Sequence, residues 1–96
     1  MSKDYVPPPE LAELIGKQIV VDTDTSYIYI GTLDRVGPDF LTLLNVDVHD
    51  CTDSRSTKEQ YAHEALVVGE RFNRNATIIR LPRVISISKM DDIVRF

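Results

Sequence analysis

The sequence predicts a single domain spanning residues 1–96, mainly β: a short N-terminal helix, then five antiparallel strands, with a long insertion before the fourth. Three observations carry this. Runs rich in β-branched and aromatic residues recur five times between turn-forming clusters. A proline-led segment with helical spacing precedes the first run. Residues 50–75 break the β pattern and hold a second stretch with helical spacing.

Pro7-Pro8-Pro9 lacks backbone donors, and proline suits the first turn of a helix, where no donor is needed. Glu10 and Glu13 suit the positive end of a helix dipole. Leu11, Leu14 and Ile15 then share a face, and Gly16 can adopt the left-handed conformation that ends a helix. The spacing predicts a helix over 8–15, too short to be stable unless docked on the rest of the fold.

Ile19-Val20-Val21 is a short β-branched strand, and Asp22-Thr23-Asp24-Thr25-Ser26 is a turn cluster. Residues 27–33 form the second strand, with Ile28 and Ile30 on one face and Tyr27 and Tyr29 on the other. Gly37-Pro38-Asp39 makes a turn. Leu44, Val46 and Val48 alternate with Asn45, Asp47 and His49, predicting a third strand with one buried and one wet face. In the insertion, Ser56 and Glu59 have capping-box spacing, and Tyr61, Ala62, Ala65 and Leu66 repeat at helical spacing. A short helix is the reading preferred, with extended arms around 65–72 as the alternative. Residues 76–81 and 83–88 complete the sheet as two strands separated at Pro82, with Ile85 and Ile87 on one face.

Composition narrows function. Apolar residues make up 43% and charged residues 27% of the chain, ordinary values for a globular protein. No apolar run approaches the ~18 residues of a membrane span. The first five residues lead into no apolar run and do not read as a secretion signal. The lone Cys51 cannot form an internal disulfide. The cytoplasm is the expected location. The net charge of −4 argues against a general nucleic-acid binder, since phosphate contacts need cations. The charge is uneven, however: residues 1–53 hold ten acids and three bases, whereas residues 70–90 hold five bases and one acid. A local basic surface is compatible with that distribution; so are arginines that are solvated or paired with acids.

Two segments are similar to the Sm and LSm family. Residues 15–21 followed by Tyr29-Ile30-Gly31-Thr32-Leu33 resemble the opening of the first Sm motif, in which the glycine lets the second strand bend. Ala76-Thr77-Ile78-Ile79-Arg80, then Val84-Ile85-Ser86-Ile87, resembles the second. The order and spacing of the two motifs carry the resemblance. It implies a strongly bent five-stranded sheet, a small open barrel, whose fourth strand pairs with the fifth strand of a neighbour to make a ring. Residues 76–81 would pair with 83–88 of the next copy, removing two exposed sheet edges.

The resemblance also implies a pore that grips RNA bases, but the motif is altered. Counted without gaps, the family's aspartate, stacking and asparagine positions fall on Gly37, Asp39 and Leu41. A one-residue slide places Phe40 for stacking and Thr42 for hydrogen bonding. Arg80 matches the family arginine, with Arg83 beside it, while Leu81 and Pro82 replace the residues that usually follow. Phe40, Thr42, Arg80 and Arg83 are therefore the candidate RNA-binding residues. The bland reading makes Phe40 a loop anchor and ties Arg80 to loop carbonyls or Asp39.

Nothing points to catalysis. Cys51 lacks the glycine-rich elbow of a nucleophile, and His49, Cys51 and His63 lack structural-zinc spacing. No phosphate-binding glycine loop is present, and no cofactor or metal is expected. The sequence favours a ring-forming protein that binds single-stranded RNA weakly or selectively. An assembly scaffold that binds a protein through residues 51–75 stands beside it as the alternative.

Overall fold

The computed structural model describes residues 5–53, 57–68 and 71–94. Its core is one antiparallel sheet of five strands: β1 (Gln18–Thr23), β2 (Tyr27–Val36), β3 (Phe40–Asp50), β4 (Arg74–Arg80) and β5 (Val84–Lys89). Their spatial order is β4-β3-β2-β1-β5, so the two outer strands do not pair with each other and the sheet stays open. A short helix, α1 (Pro9–Ala12), precedes the sheet, and a longer one, α2 (Lys58–Val68), lies between β3 and β4. The mainly β architecture read from the sequence is the one observed.

The sheet is covered on both faces. One cluster joins Leu14, Ile19, Val21, Leu33, Leu41, Leu43, Val46 and Ile79 on the inner face. The other joins Val20, Ile28 and Ile30 to Tyr61 and Ala62 of α2 and to Met90. This explains Ile19-Val20-Val21: a strand buried on both sides reads as a continuous apolar run. The split of Ile28 and Ile30 from Tyr29 is also observed, since Tyr29 packs on the inner cluster.

Several details of the sequence reading change. The first helix covers Pro9–Ala12 rather than 8–15. Beyond it the chain tightens, with Leu14, Ile15 and Lys17 each donating to the carbonyl three residues earlier. Gly16, at φ 87°, turns away to donate to the Leu33 carbonyl at 2.7 Å. Leu14 is buried by this turn, whereas Ile15 faces solvent.

The third strand does not alternate as expected. Leu44 is exposed and Asp47 is buried. Asn45 adopts φ 51°, and three steps along β3 (Leu44 to Asp47) oppose two along β2 (Ile30 to Thr32). This bulge shifts the strand's phase, turning Leu41, Leu43 and Val46 inward. Gly31 faces the bulge; a Cβ there would lie 3.0 Å from the Leu44 carbonyl oxygen and 3.3 Å from the Val46 Cα. A second irregularity, between Asp22 and Thr23, pairs Thr23 with Val84 and skips Ile85. Val84 and Ile87 therefore pack inward, and Ile85 is 65% exposed instead of sharing Ile87's face.

The helix in the insertion is present and continues through Val68, in place of extended arms from residue 65. Its start is capped one residue later than the spacing of Ser56 and Glu59 suggested. Thr57 and Gln60 make the reciprocal pair, Thr57 N–H to Gln60 Oε1 at 2.9 Å and Gln60 N–H to Thr57 Oγ1 at 3.1 Å. Ser56 lies outside the described residues. After the helix, Asn73 imitates a strand neighbour. Its side chain accepts from the Val48 N–H and donates to the Val48 carbonyl.

Candidate nucleic-acid interface

The tip of the sheet at the β2–β3 turn brings the candidate residues together through strand register. Phe40 sits opposite Arg80, and Thr42 opposite Ile78. On the other side Thr42 faces Arg35, because β2 carries an extra residue between Leu33 and Arg35. Side chains two apart on a strand share a face. Phe40, Thr42, Ile78, Arg80 and Arg35 therefore form one surface, while Val36, Leu41 and Ile79 in the row between point into the core.

This surface opens into a groove of about 590 Å³ lined by Tyr5, Arg35, Asp39, Phe40, Thr42 and Ile78. Its volume lies within the range of about 300–1,000 Å³ typical of ligand pockets. Its floor is apolar: Phe40 is 46% exposed and Ile78 64% exposed. The Leu81 N–H donates to the Asp39 carbonyl at 2.9 Å, binding the β2–β3 turn to the β4–β5 connection. Neither the Arg80 guanidinium nor the Asp39 carboxylate has a hydrogen bond or ion pair among the described residues, and the pairing between them considered above is not formed. Phe40 is not a core residue, since nearly half its surface is open, while its carbonyl accepts from Gly37 across the turn.

Arg83 is placed elsewhere. It ends the Leu81–Arg83 turn, and its Nη1 lies 3.0 Å from Asp24 Oδ2 on the β1–β2 turn. The Asp24 N–H returns a bond to the Arg83 carbonyl at 2.9 Å. Of the four sequence candidates, Phe40, Thr42 and Arg80 thus share a surface, and Arg83 is held by an acid outside it. Arg35, Asp39 and Tyr5 went unnoticed as groove residues. The Arg35–Thr42 pairing depends on a bulge that no local pattern announces, whereas Ile78 could have been found from its two-residue offset to Arg80.

A second cluster fastens α2 to the outer face. Tyr61 donates to Asp47 Oδ2 at 2.5 Å, and both residues are buried. Burial, and then the hydrogen bond to Asp47, push the Tyr61 phenol well above the usual tyrosine range. His49 stacks on the Tyr61 ring with centroids 3.9 Å apart. Lys58 bonds Asp22 Oδ1 at 2.5 Å and the carbonyls of Thr23 and Thr25. Cys51 borders this packing, and burial raises its thiol above the ordinary value, which disfavours the nucleophilic thiolate. Among the described residues no three His, Cys, Asp or Glu side chains come together as metal ligands. A hollow beside Asp47, near Gln18, Asn45 and Arg71, measures about 10 Å³, the size of one water. No helix among the described residues is long and apolar enough to cross a membrane.

No protein-family model matches the chain, and a search of curated proteins returned no match. Solved structures do match. An Sm protein of Pyrococcus abyssii in complex with a uridine heptamer superposes with a TM-score of 0.59 at 13% identity, covering 88% of this chain and 99% of that one. Chains from crystal structures of the NatC complex also match. With Gag peptide and CoA bound, the TM-score is 0.53 at 18% identity, over 80% of this chain and 86% of that one. With CoA bound, it is 0.55 at 18% identity, over 85% and 86%. The chain has an Sm-like fold.

Proposed function

We propose that this protein is an Sm-like ring subunit that binds single-stranded RNA in the groove around Phe40, Thr42 and Arg80. The observation that carries the reading is the pairing of Phe40 with Arg80 across β3 and β4. An exposed aromatic face can stack a base, and a cation beside it can hold the adjoining phosphate. Arg35 adds a second cation on the same surface. The Sm-like fold supports this, and one structural neighbour is an Sm protein in complex with a uridine heptamer. The acidic net charge suits a local, selective contact rather than general affinity for polyanions.

Self-association belongs to the same reading. β4 and β5 are free edges of an open sheet, and each carries an exposed isoleucine, Ile78 and Ile85. Pairing residues 76–81 with 83–88 of the next copy would cover both edges. It would also repeat the groove in every subunit, so that a weak site gains strength through multivalency. In this role the protein performs no chemistry and works in the cytoplasm.

Fluorescence anisotropy with short U-rich and A-rich RNA across a salt series tests the proposal. Affinity should fall as salt rises and be lost in Arg80→Ala and Phe40→Ala. Absence of binding at the lowest salt would overturn it.

The second reading is a protein-binding scaffold, favoured by the likeness to chains of the NatC complex and by exposed Val67 near the end of α2 and exposed Phe72 ahead of β4. It predicts no RNA binding at any salt. It also predicts a co-purifying protein that is lost when Val67 and Phe72 are changed to serine.

A further inference from the structure

The groove holds a small set of polar side chains around its exposed aromatic ring. Among the described residues its side-chain polar groups are the Asp39 carboxylate, the Arg35 guanidinium, and the hydroxyls of Thr42 and Tyr5, with no Asn or Gln in the lining. Asp39 adjoins Phe40, the exposed ring on which a base would stack. Its backbone is held by the bond from Leu81 to its carbonyl, and its carboxylate has no protein partner among the described residues. An ionised carboxylate only accepts hydrogen bonds, through two oxygens side by side.

The pairing edges of the four bases meet such an acceptor differently. Uracil presents one N–H between two carbonyl oxygens, both of which repel a carboxylate. Adenine and cytosine each present an amino group next to a ring nitrogen that is itself an acceptor. Only guanine places two donors, N1–H and the N2 amino group, next to each other, matching two carboxylate oxygens. Arg35 lines the same groove and brings a positive charge against the repulsion that Asp39 would exert on a phosphate. Resting on the RNA-binding reading above, the geometry points to guanine as the base this groove selects, with Asp39 reading its pairing edge while Phe40 stacks its face.

The test measures anisotropy of the full chain with four six-nucleotide RNAs at one low salt concentration: alternating G and A, alternating inosine and A, alternating C and A, and all U. The guanine-containing oligomer should bind roughly tenfold or more tighter than the uridine oligomer. Inosine, which lacks the N2 amino group, should lose a substantial part of that advantage. Asp39→Asn, a nearly isosteric change on an exposed turn, should bring the ratio of guanine-oligomer to uridine-oligomer affinity close to one, mainly by weakening the guanine oligomer. Equal or tighter binding of the uridine oligomer, or an unchanged preference in Asp39→Asn, overturns the guanine assignment alone. If the wild-type chain binds none of the four, the RNA-binding reading falls, and the guanine assignment falls with it.

Discussion

Tyr61 of α2 donates its phenolic proton to Asp47 of β3 at 2.5 Å, and fewer than a tenth of either residue's surface reaches solvent. A carboxylate buried beneath a helix must find donors, and this phenol, stacked on His49, is one of them. The pair fastens α2 to the outer face alongside the apolar packing of Ala62 and the bonds of Lys58.

Tyr61→Phe keeps the ring and its stacking but removes the donor to a buried carboxylate. The expected cost is about 1–3 kcal/mol in urea denaturation, the usual penalty for leaving such a group unsatisfied. A change below about 0.5 kcal/mol, within the range of ordinary surface substitutions, would mean the bond does not anchor the helix.

Tyr61 also makes alkaline stability measurable. Its folded pKa is raised from the usual value of 10.0, first by burial and then by Asp47. A raised pKa stabilises the folded state below the unfolded value and loses that contribution as pH climbs through the folded one. One phenol should thus stay protonated well past pH 10 and ionise together with unfolding. The late phase of phenolate absorbance should vanish in Tyr61→Phe.

Two glycines should respond to alanine for different reasons. At Gly31 the new methyl would meet backbone atoms of Leu44 and Val46, which cannot move without disturbing the bulge; the cost should be about 1–3 kcal/mol. At Gly16 nothing lies within 4 Å, so the cost comes only from holding φ at 87° and should be near 1 kcal/mol. Denaturation midpoints with unchanged slopes would report both values.

Ile85→Lys places a charge on the outer edge strand at a residue already 65% exposed. The circular dichroism spectrum and melting temperature of the isolated chain should barely change. If β5 pairs with a neighbour's β4, light scattering after size exclusion should show the assembly reduced to monomer. A wild-type chain that is already monomeric at micromolar concentration would remove the ring from the proposed function.

Much of this was legible from local pattern. Ile19-Val20-Val21, Tyr27–Leu33 and Ala76–Arg80 read as strands because their propensities agree with their neighbours, and helical spacing marked Tyr61, Ala62, Ala65 and Leu66. Phe40, Thr42 and Arg80 were also legible as a group, because strand periodicity and the Sm-like motif order converge on them. Leu44 and Ile85 were assigned to the wrong face, since a bulge beside each breaks the two-residue period; Asp47 does lie on the face opposite Val46, but α2 covers that face and buries it. Arg83 was legible only as a cation; its pairing with Asp24 joins residues 59 positions apart.

The sequence alone thus determined the identity and order of the elements and the aromatic and cationic residues available for binding, because those depend on propensity, periodicity and side-chain chemistry within short windows. Tertiary structure decided which of those residues meet. Register between β2 and β3 is set by bulges at Asp34 and Asn45, and the first of these places Arg35 opposite Thr42 in the groove. The packing of α2 against the outer face, a contact between segments distant in the chain, buries Asp47 against Tyr61.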